Sequence, residues 1–293
     1  MKTVAFVTIA VAFALLLFAR LVAPPHQLEI IDRAWPGGGV EQLASGETFN
    51  AEEKLKLDVW GTPHGNAKKP VLVFFYGGGW ANGERSHYGF AARAYAAKGF
   101  IVVVPDYRKV PRVRFPVFNQ DGAAAVRWVH DNIQRYGGDP ARIVLAGHSA
   151  GAYLAMMLTL DRHYLRDAGV DPDVIRATVG LSGPYDFYPY DSKRSINAMR
   201  AWPNPQETQP IAYARKDAPP IMVVTGTADD TVKPRNAILL SKRLHELGAP
   251  VEFRAYNDLS HEDVVMALSK PFRSKAPVLQ DSTDFLMKAA QQR

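Results

Sequence analysis

Gly147-His148-Ser149-Ala150-Gly151 lies between an apolar run at residues 142–146 and a helical pattern that begins at Ala150. A serine on a sharp strand-to-helix turn is held in a strained conformation with its hydroxyl clear of the sheet edge. The flanking glycines are needed because a side chain there would collide with the adjoining strand and helix. The helix start also supplies free N–H groups and partial positive charge where an oxyanion would develop. A second segment, Tyr76-Gly77-Gly78-Gly79-Trp80, ends another apolar run at residues 71–75. Three successive glycines let the backbone curl with N–H groups aimed at a substrate oxygen, so Gly78, Gly79 and the amide of Ala150 are the candidate oxyanion-hole donors. Neither G-x-G-x-x-G nor a following G-K-[ST] is present, which argues against a phosphate cradle.

A serine hydroxyl is a poor nucleophile at neutral pH unless a base takes its proton. Eight histidines compete for that role. His148, inside the turn, is expected to face away from Ser149. Where the nucleophile sits on such a turn the chain order is serine, acid, histidine, which leaves His245 and His261. His245 falls within a helical pattern at residues 232–247, whereas His261 directly follows the strand-like run at residues 251–256 and is the candidate base. The acid is expected at the end of the preceding strand, where Gly226-Thr227-Ala228-Asp229-Asp230-Thr231-Val232 follows residues 221–225. Asp229 is the candidate, holding the neutral tautomer of His261. Asp230 is then a helix cap or a surface carboxylate.

Positioning these groups requires alternating elements. Strand patterns occur at residues 54–60, 71–76, 100–104, 142–146, 177–181, 221–225 and 251–256, and helical patterns at 86–98, 117–136, 150–161, 232–247 and 282–292. Alternation of this kind predicts an α/β fold with a mostly parallel twisted sheet covered by helices on both faces. Residues 49–293 are expected to form a single catalytic domain. Residues 24–48, polar and broken by Pro36-Gly37-Gly38-Gly39, read as a tether. Residues 1–23 carry Lys2 and then an uncharged run from Thr3 to Ala19, so they read as a signal anchor or a signal peptide that exports the domain to the cell envelope.

The absence of cysteine removes disulfides, thiolate catalysis and zinc-thiolate sites. The net charge of +6 is scattered rather than gathered beside aromatics, so no nucleic-acid partner is expected. No cofactor or metal is expected either, and the oligomeric state is not encoded legibly.

With turn, glycine loop, acid and histidine in this order, the chain resembles the hormone-sensitive-lipase-like branch of the α/β-hydrolases, in particular the bacterial acetylesterase and formamidase-like carboxylesterases. The resemblance runs from about Leu55 to the C-terminus and includes Pro105-Asp106-Tyr107-Arg108, Phe115-Pro116, Asp121, Arg127-Trp128, Tyr136-Gly137-Gly138-Asp139-Pro140 and Gly183-Pro184-Tyr185-Asp186. It implies hydrolysis of short- to medium-chain carboxylic esters of small molecules through an acyl-enzyme on Ser149. The alternatives are an arylformamidase or small-substrate amidase on the same triad, and a non-catalytic membrane-tethered binding protein. Asp106, Arg108 and Asp121 are expected to be a structural charge network. The chain departs from many relatives at Tyr76, where they have histidine, and at Ser260, where they commonly have glycine. The segment ahead of Leu55 reads as too short and polar for a helical cap, which predicts an open pocket. Trp80 and Tyr185 are candidate substrate-binding residues, and the loop at residues 184–210, with Phe187, Tyr188, Tyr190 and Trp202, is the candidate lid or acyl-site wall.

Overall fold

All seven predicted strands are present in the computed structural model, which describes residues 23–63 and 67–291. They are β2 (Leu55–Gly61), β3 (Lys69–Phe75), β4 (Ile101–Pro105), β5 (Gly138–His148), β6 (Ile175–Leu181), β7 (Ile221–Gly226) and β8 (Val251–Tyr256), and an eighth, β1 (Glu41–Asn50), precedes them. The sheet order is β1-β2-β4-β3-β5-β6-β7-β8. β1 and β2 pair antiparallel and β2 meets β4 antiparallel, and from β4 to β8 every pairing is parallel. The central strands are covered on both faces, which is why β4 (Ile-Val-Val-Val-Pro) is buried at every position and reads as a continuous apolar run without alternation.

Helices fill both faces: α1 (Pro24–Ala34), α2 (Gly89–Ala96), α3 (Val117–Asn132), α4 (Ala150–Leu160), α5 (His163–Asp167), α6 (Lys193–Met199), α7 (Arg235–Glu246), α8 (His261–Met266) and α9 (Val278–Gln291). Every residue of α4 is buried, so its sequence is apolar on all sides. The long amphipathic pattern at residues 117–136 ends as an α-helix at Asn132 and tightens into a 3₁₀ turn.

The tether reading of residues 24–48 is corrected. Residues 24–34 form α1, started by prolines in its first turn, where a missing N–H costs nothing. The acidic residues that made this segment look solvated are partners of one arginine. Arg93 on α2 donates to Glu29 Oε1 at 2.8 Å and to Asp32 Oδ2 at 2.8 Å. Asp32, fully buried, also accepts the Lys270 backbone N–H at 2.7 Å. Strand β1 lacks clean alternation because it pairs with β2 through repeated register shifts at the sheet edge and leaves most of its side chains half-exposed. The predicted N-terminal apolar segment lies, apart from Ala23, outside the described residues. Among the described residues no helix is long and apolar enough to cross a membrane.

Removing the cation while leaving two carboxylates against α2 breaks a buried ion cluster from one side. Arg93→Met is therefore expected to cost about 3 kcal/mol in urea unfolding. The same variant should accelerate amide hydrogen exchange in residues 24–34. Unchanged protection there would show that α1 is held by other contacts.

Candidate active site

Parallel register brings the chemistry to one sheet edge. Phe75 at the end of β3 pairs with Gly147, His148 pairs with Leu181, and Gly226 pairs with Tyr256. The turns that leave β3, β5, β7 and β8 therefore emerge side by side. Ser149 has φ 56° and ψ −124°, a positive-φ conformation costly for a side-chain-bearing residue. A Cβ on Gly147 would lie 2.4 Å from the Gly151 carbonyl carbon, and one on Gly151 would lie 2.0 Å from the Phe75 carbonyl oxygen. Both glycines of the turn are thus fixed by close backbone approach, as the sequence implied. Ala150 opens α4, so its N–H has no acceptor within the helix.

The glycine loop curls beside this turn. Gly78 has φ 135°, and a Cβ there would lie 2.2 Å from the Asn82 carbonyl oxygen, so no other residue fits. Gly77 approaches so closely that a Cβ on it would stand 3.1 Å from Ser149 Cβ. The loop is anchored through its first residue. The Tyr76 hydroxyl donates to Asp106 Oδ1 at 3.1 Å and accepts from Lys109 Nζ at 2.9 Å. The expected network of Asp106, Arg108 and Asp121 divides into two clusters: Arg85 pairs with Asp58 and Asp106, and Arg108 pairs with Asp121 and Glu53.

His261 and Asp229 meet as expected from their positions. His261 Nδ1 lies 2.8 Å from Asp229 Oδ2, and both residues are buried. The other carboxylate oxygen of Asp229 accepts the backbone N–H groups of Thr231 at 3.1 Å and Val232 at 2.8 Å, which locks its orientation. Asp230 is exposed and caps no helix, since α7 starts only at Arg235. His261 is the first residue of α8, capped by Ser260. Ser260 accepts from the Asp263 N–H, and the Asp263 carboxylate accepts from the Ser260 N–H at 3.1 Å and its hydroxyl at 2.7 Å. Hydrogen bonds from Lys275 and Ser260 hold the Asp263 carboxyl at about 2. The serine that replaces glycine before the histidine is therefore the cap that orients it.

Ser149, His261, Gly77 and Gly78 line one cavity of about 1210 Å³. Trp80 and Tyr185 do not, and their assignment as substrate-binding residues is corrected. Trp80 is buried, edge-to-face with Tyr153 at 5.3 Å and stacked on Phe187 at 5.9 Å. Tyr185 is fully buried, with its ring against Gly180 and Gly183. Both are core residues whose aromatic character looked like a binding wall because sequence gives no side-chain direction. From the proposed lid loop, Arg194 reaches the cavity, while Trp202 packs on Phe115 at 5.1 Å. The expectation that no helix precedes the pocket as a cap is corrected too: Leu28 and Ile31 of α1 form part of its wall, together with Val265 and Met266 of α8. The missed signal was the i, i+3 spacing of Leu28 and Ile31 behind two prolines.

Among known proteins, the BD-FAE family model matches residues 57–244. Esterase LipQ of Mycobacterium tuberculosis is 30% identical over 251 residues, 78% of this chain and 58% of that protein. Carboxylesterase NlhH of the same species is 39% identical over 158 residues, 54% of this chain and 46% of that protein. The chain thus spans about half the length of these curated relatives. A truncated carbohydrate esterase from gut microbiota shares the fold with a TM-score of 0.74 at 19% identity, covering 87% of this chain and 97% of that one.

His148 does not turn out of the site as expected. Its ring lies 4.7 Å from that of His261, and its Nε2 stands 3.1 Å from the His261 carbonyl oxygen, to which it donates as the neutral Nε2–H tautomer. Burial, reinforced by the nearby His261, pushes its pKa well below the usual histidine value, against the raising effect of that carbonyl. Below about pH 6.5 the unfolded chain takes up a proton at this residue that the folded chain refuses, so stability falls as the solution is acidified. Thermal unfolding from pH 7 to pH 5 should show this loss, and His148→Gln, which keeps a donor for the carbonyl, should flatten the slope. An unchanged slope in the variant would place the acid sensitivity elsewhere.

Proposed function

As the chain belongs to the BD-FAE family of the α/β-hydrolases, we propose that it is a serine esterase that cleaves short- to medium-chain carboxylic esters through a Ser149 acyl-enzyme. The observation that carries this reading is the 2.8 Å contact between His261 Nδ1 and Asp229 Oδ2, facing the cavity that holds the strained Ser149. Esterase relatives among the similar proteins support the same chemistry.

In this mechanism the Ser149 hydroxyl attacks the ester carbonyl while His261 Nε2 takes its proton. Asp229 holds the Nδ1–H tautomer beforehand and stabilises the imidazolium afterwards. The tetrahedral oxyanion accepts hydrogen bonds from the N–H groups of Gly78, Gly79 and Ala150, which are preorganised by the positive-φ loop and the free end of α4. Collapse of the intermediate breaks the C–O bond, and the departing alcohol takes the proton from His261. Water then repeats the sequence on the acyl-enzyme, giving its proton to His261 and releasing the acid and the restored serine. The domain is further proposed to lie outside the cytoplasm, exported by the apolar segment of residues 1–23 as a membrane-anchored or processed protein.

Ser149→Ala should abolish turnover of 4-nitrophenyl acetate, a loss of up to about a million-fold. Alongside it, Asp229→Asn should lower turnover about ten-thousand-fold by permitting the wrong imidazole tautomer, while Asp230→Asn leaves it near the parent level. Near-native activity in folded Ser149→Ala protein would overturn the mechanism, and a large loss at Asp230 instead would reassign the acid.

The export proposal is read separately with a compartment-sensitive reporter fused after Arg293. Activity outside the cytoplasm is expected, and activity confined to the cytoplasm would refute it.

A further inference from the structure

The cavity has two unlike walls. One is apolar, formed by Leu28, Ile31, Val265, Met266 and Phe272. Around the glycine loop the character is cationic. Arg194, the second residue of α6, lies across Gly79: a Cβ on that glycine would stand 2.4 Å from Arg194 Cδ and 3.2 Å from its Nε. Its guanidinium makes no ion pair or hydrogen bond among the described residues, although it lines the same cavity as Ser149 and His261. Lys109 Nζ, which also lines the cavity, bonds two neutral oxygens, the Tyr76 hydroxyl at 2.9 Å and the Tyr107 carbonyl at 3.1 Å; no carboxylate stands within ion-pair distance among the described residues, although Asp106, Glu84 and Asp121 act on it at longer range. The other arginines of the cavity are already committed: Arg85 to Asp58 and Asp106, Arg108 to Asp121 and Glu53, Arg112 to Glu53. The carboxylates left without a permanently charged partner, Glu84 and Glu262, are exposed to water.

A guanidinium presents a planar fork of donors that matches a carboxylate, and an unpaired one beside the reacting carbonyl is a recognition element awaiting an anion. Resting on the esterase reading above, we propose that the preferred substrates are amphiphilic esters that carry a carboxylate, with Arg194 as the specificity residue that binds it and the apolar wall taking the hydrocarbon part. Lys109 adds long-range attraction from behind Tyr76. Its own charge is opposed by burial, so the exposed Arg194 is the primary contact.

The test uses matched esters that differ in one charge: monomethyl succinate against methyl butyrate, with the anion on the acyl side, and 4-acetoxybenzoate against its methyl ester, with the anion on the alcohol side. For at least one pair, the ratio of kcat/KM for the anionic ester to that for the neutral one is expected to fall ten-fold or more in Arg194→Gln. The change should reside mainly in KM, be partly restored in Arg194→Lys, and shrink in the parent protein as ionic strength rises. An unchanged ratio in both pairs would overturn the proposal. So would equal losses on charged and neutral esters, which would mean that Arg194 acts on the shared oxyanion. Binding of monomethyl succinate and methyl butyrate, followed by NMR titration of the full-length Ser149→Ala protein with and without Arg194→Gln, decides the point without turnover. Selective anion binding that disappears in Arg194→Gln upholds the specificity assignment even if no ester is hydrolysed, a result that would defeat the esterase reading alone. Equal binding of the two would refute it.

Discussion

The contact between the end of β3 and the start of α4 is the constraint from which the site follows. Gly151 passes so close to the Phe75 carbonyl that no side chain fits between them, and the chain at Ser149 takes a positive-φ turn to make this approach. Such strain costs about 1–3 kcal/mol. Helix α4 repays it many times over, because each large apolar side chain it buries, Leu154, Met157 and Leu158 among them, contributes roughly 1.5–3 kcal/mol. A serine on an amphipathic surface helix would lack that reserve. The full burial of α4 and the strain at Ser149 are two sides of one arrangement.

The other groups are held to the Ser149 turn by backbone and side-chain hydrogen bonds together. Thr227 N–H donates to the Tyr256 carbonyl at 2.9 Å and Ala228 N–H to the Leu259 carbonyl at 3.1 Å, so the turn carrying Asp229 is tied to the turn that leads into His261. The Asp258 N–H adds a bond to Thr227 Oγ1 at 2.9 Å. His148 then ties the His261 carbonyl back to the Ser149 turn itself. Three segments far apart in sequence are thus linked in series by hydrogen bonds, which restrict both the imidazole and the carboxylate. A neutral His148 suits this role, since a second cation beside His261 would oppose the imidazolium of the proposed general-base step.

Much of this was legible in the sequence for a physical reason: buried parallel strands and fully buried helices leave long apolar runs, and backbone-limited turns leave glycines at fixed offsets. Residues 71–79, 142–151 and 221–232 carry both signatures. What stayed hidden depends on tertiary partners. Glu29 and Asp32 looked like solvent-facing charges because Arg93, more than sixty residues away, neutralises them only in the folded chain. Trp80 and Tyr185 stand next to functional backbone, yet their rings point into the core. Arg194 had no motif at all, and its reach over Gly79 follows from where the loop after β6 returns.

Tyr76 illustrates how a change of side chain can leave the backbone donors in place. Where the resemblance implies histidine before the glycines, a phenol is stacked on Tyr107 at 4.7 Å and on Tyr88 at 5.5 Å. Burial raises its pKa well above the usual tyrosine value, with further increases from Tyr107 and Asp106, so it stays neutral. A neutral hydroxyl is both donor and acceptor, and it uses both capacities at once, donating to Asp106 and accepting from Lys109. The loop is therefore pinned at its first residue by groups of opposite charge and tightened at Gly78 by close approach to Asn82. The hydroxyl thus stands between Lys109 and Asp106, which act on each other across it without a direct ion pair. Tyr76 thus anchors the glycine loop and holds a buried ammonium at its base, while Arg194 lies across Gly79.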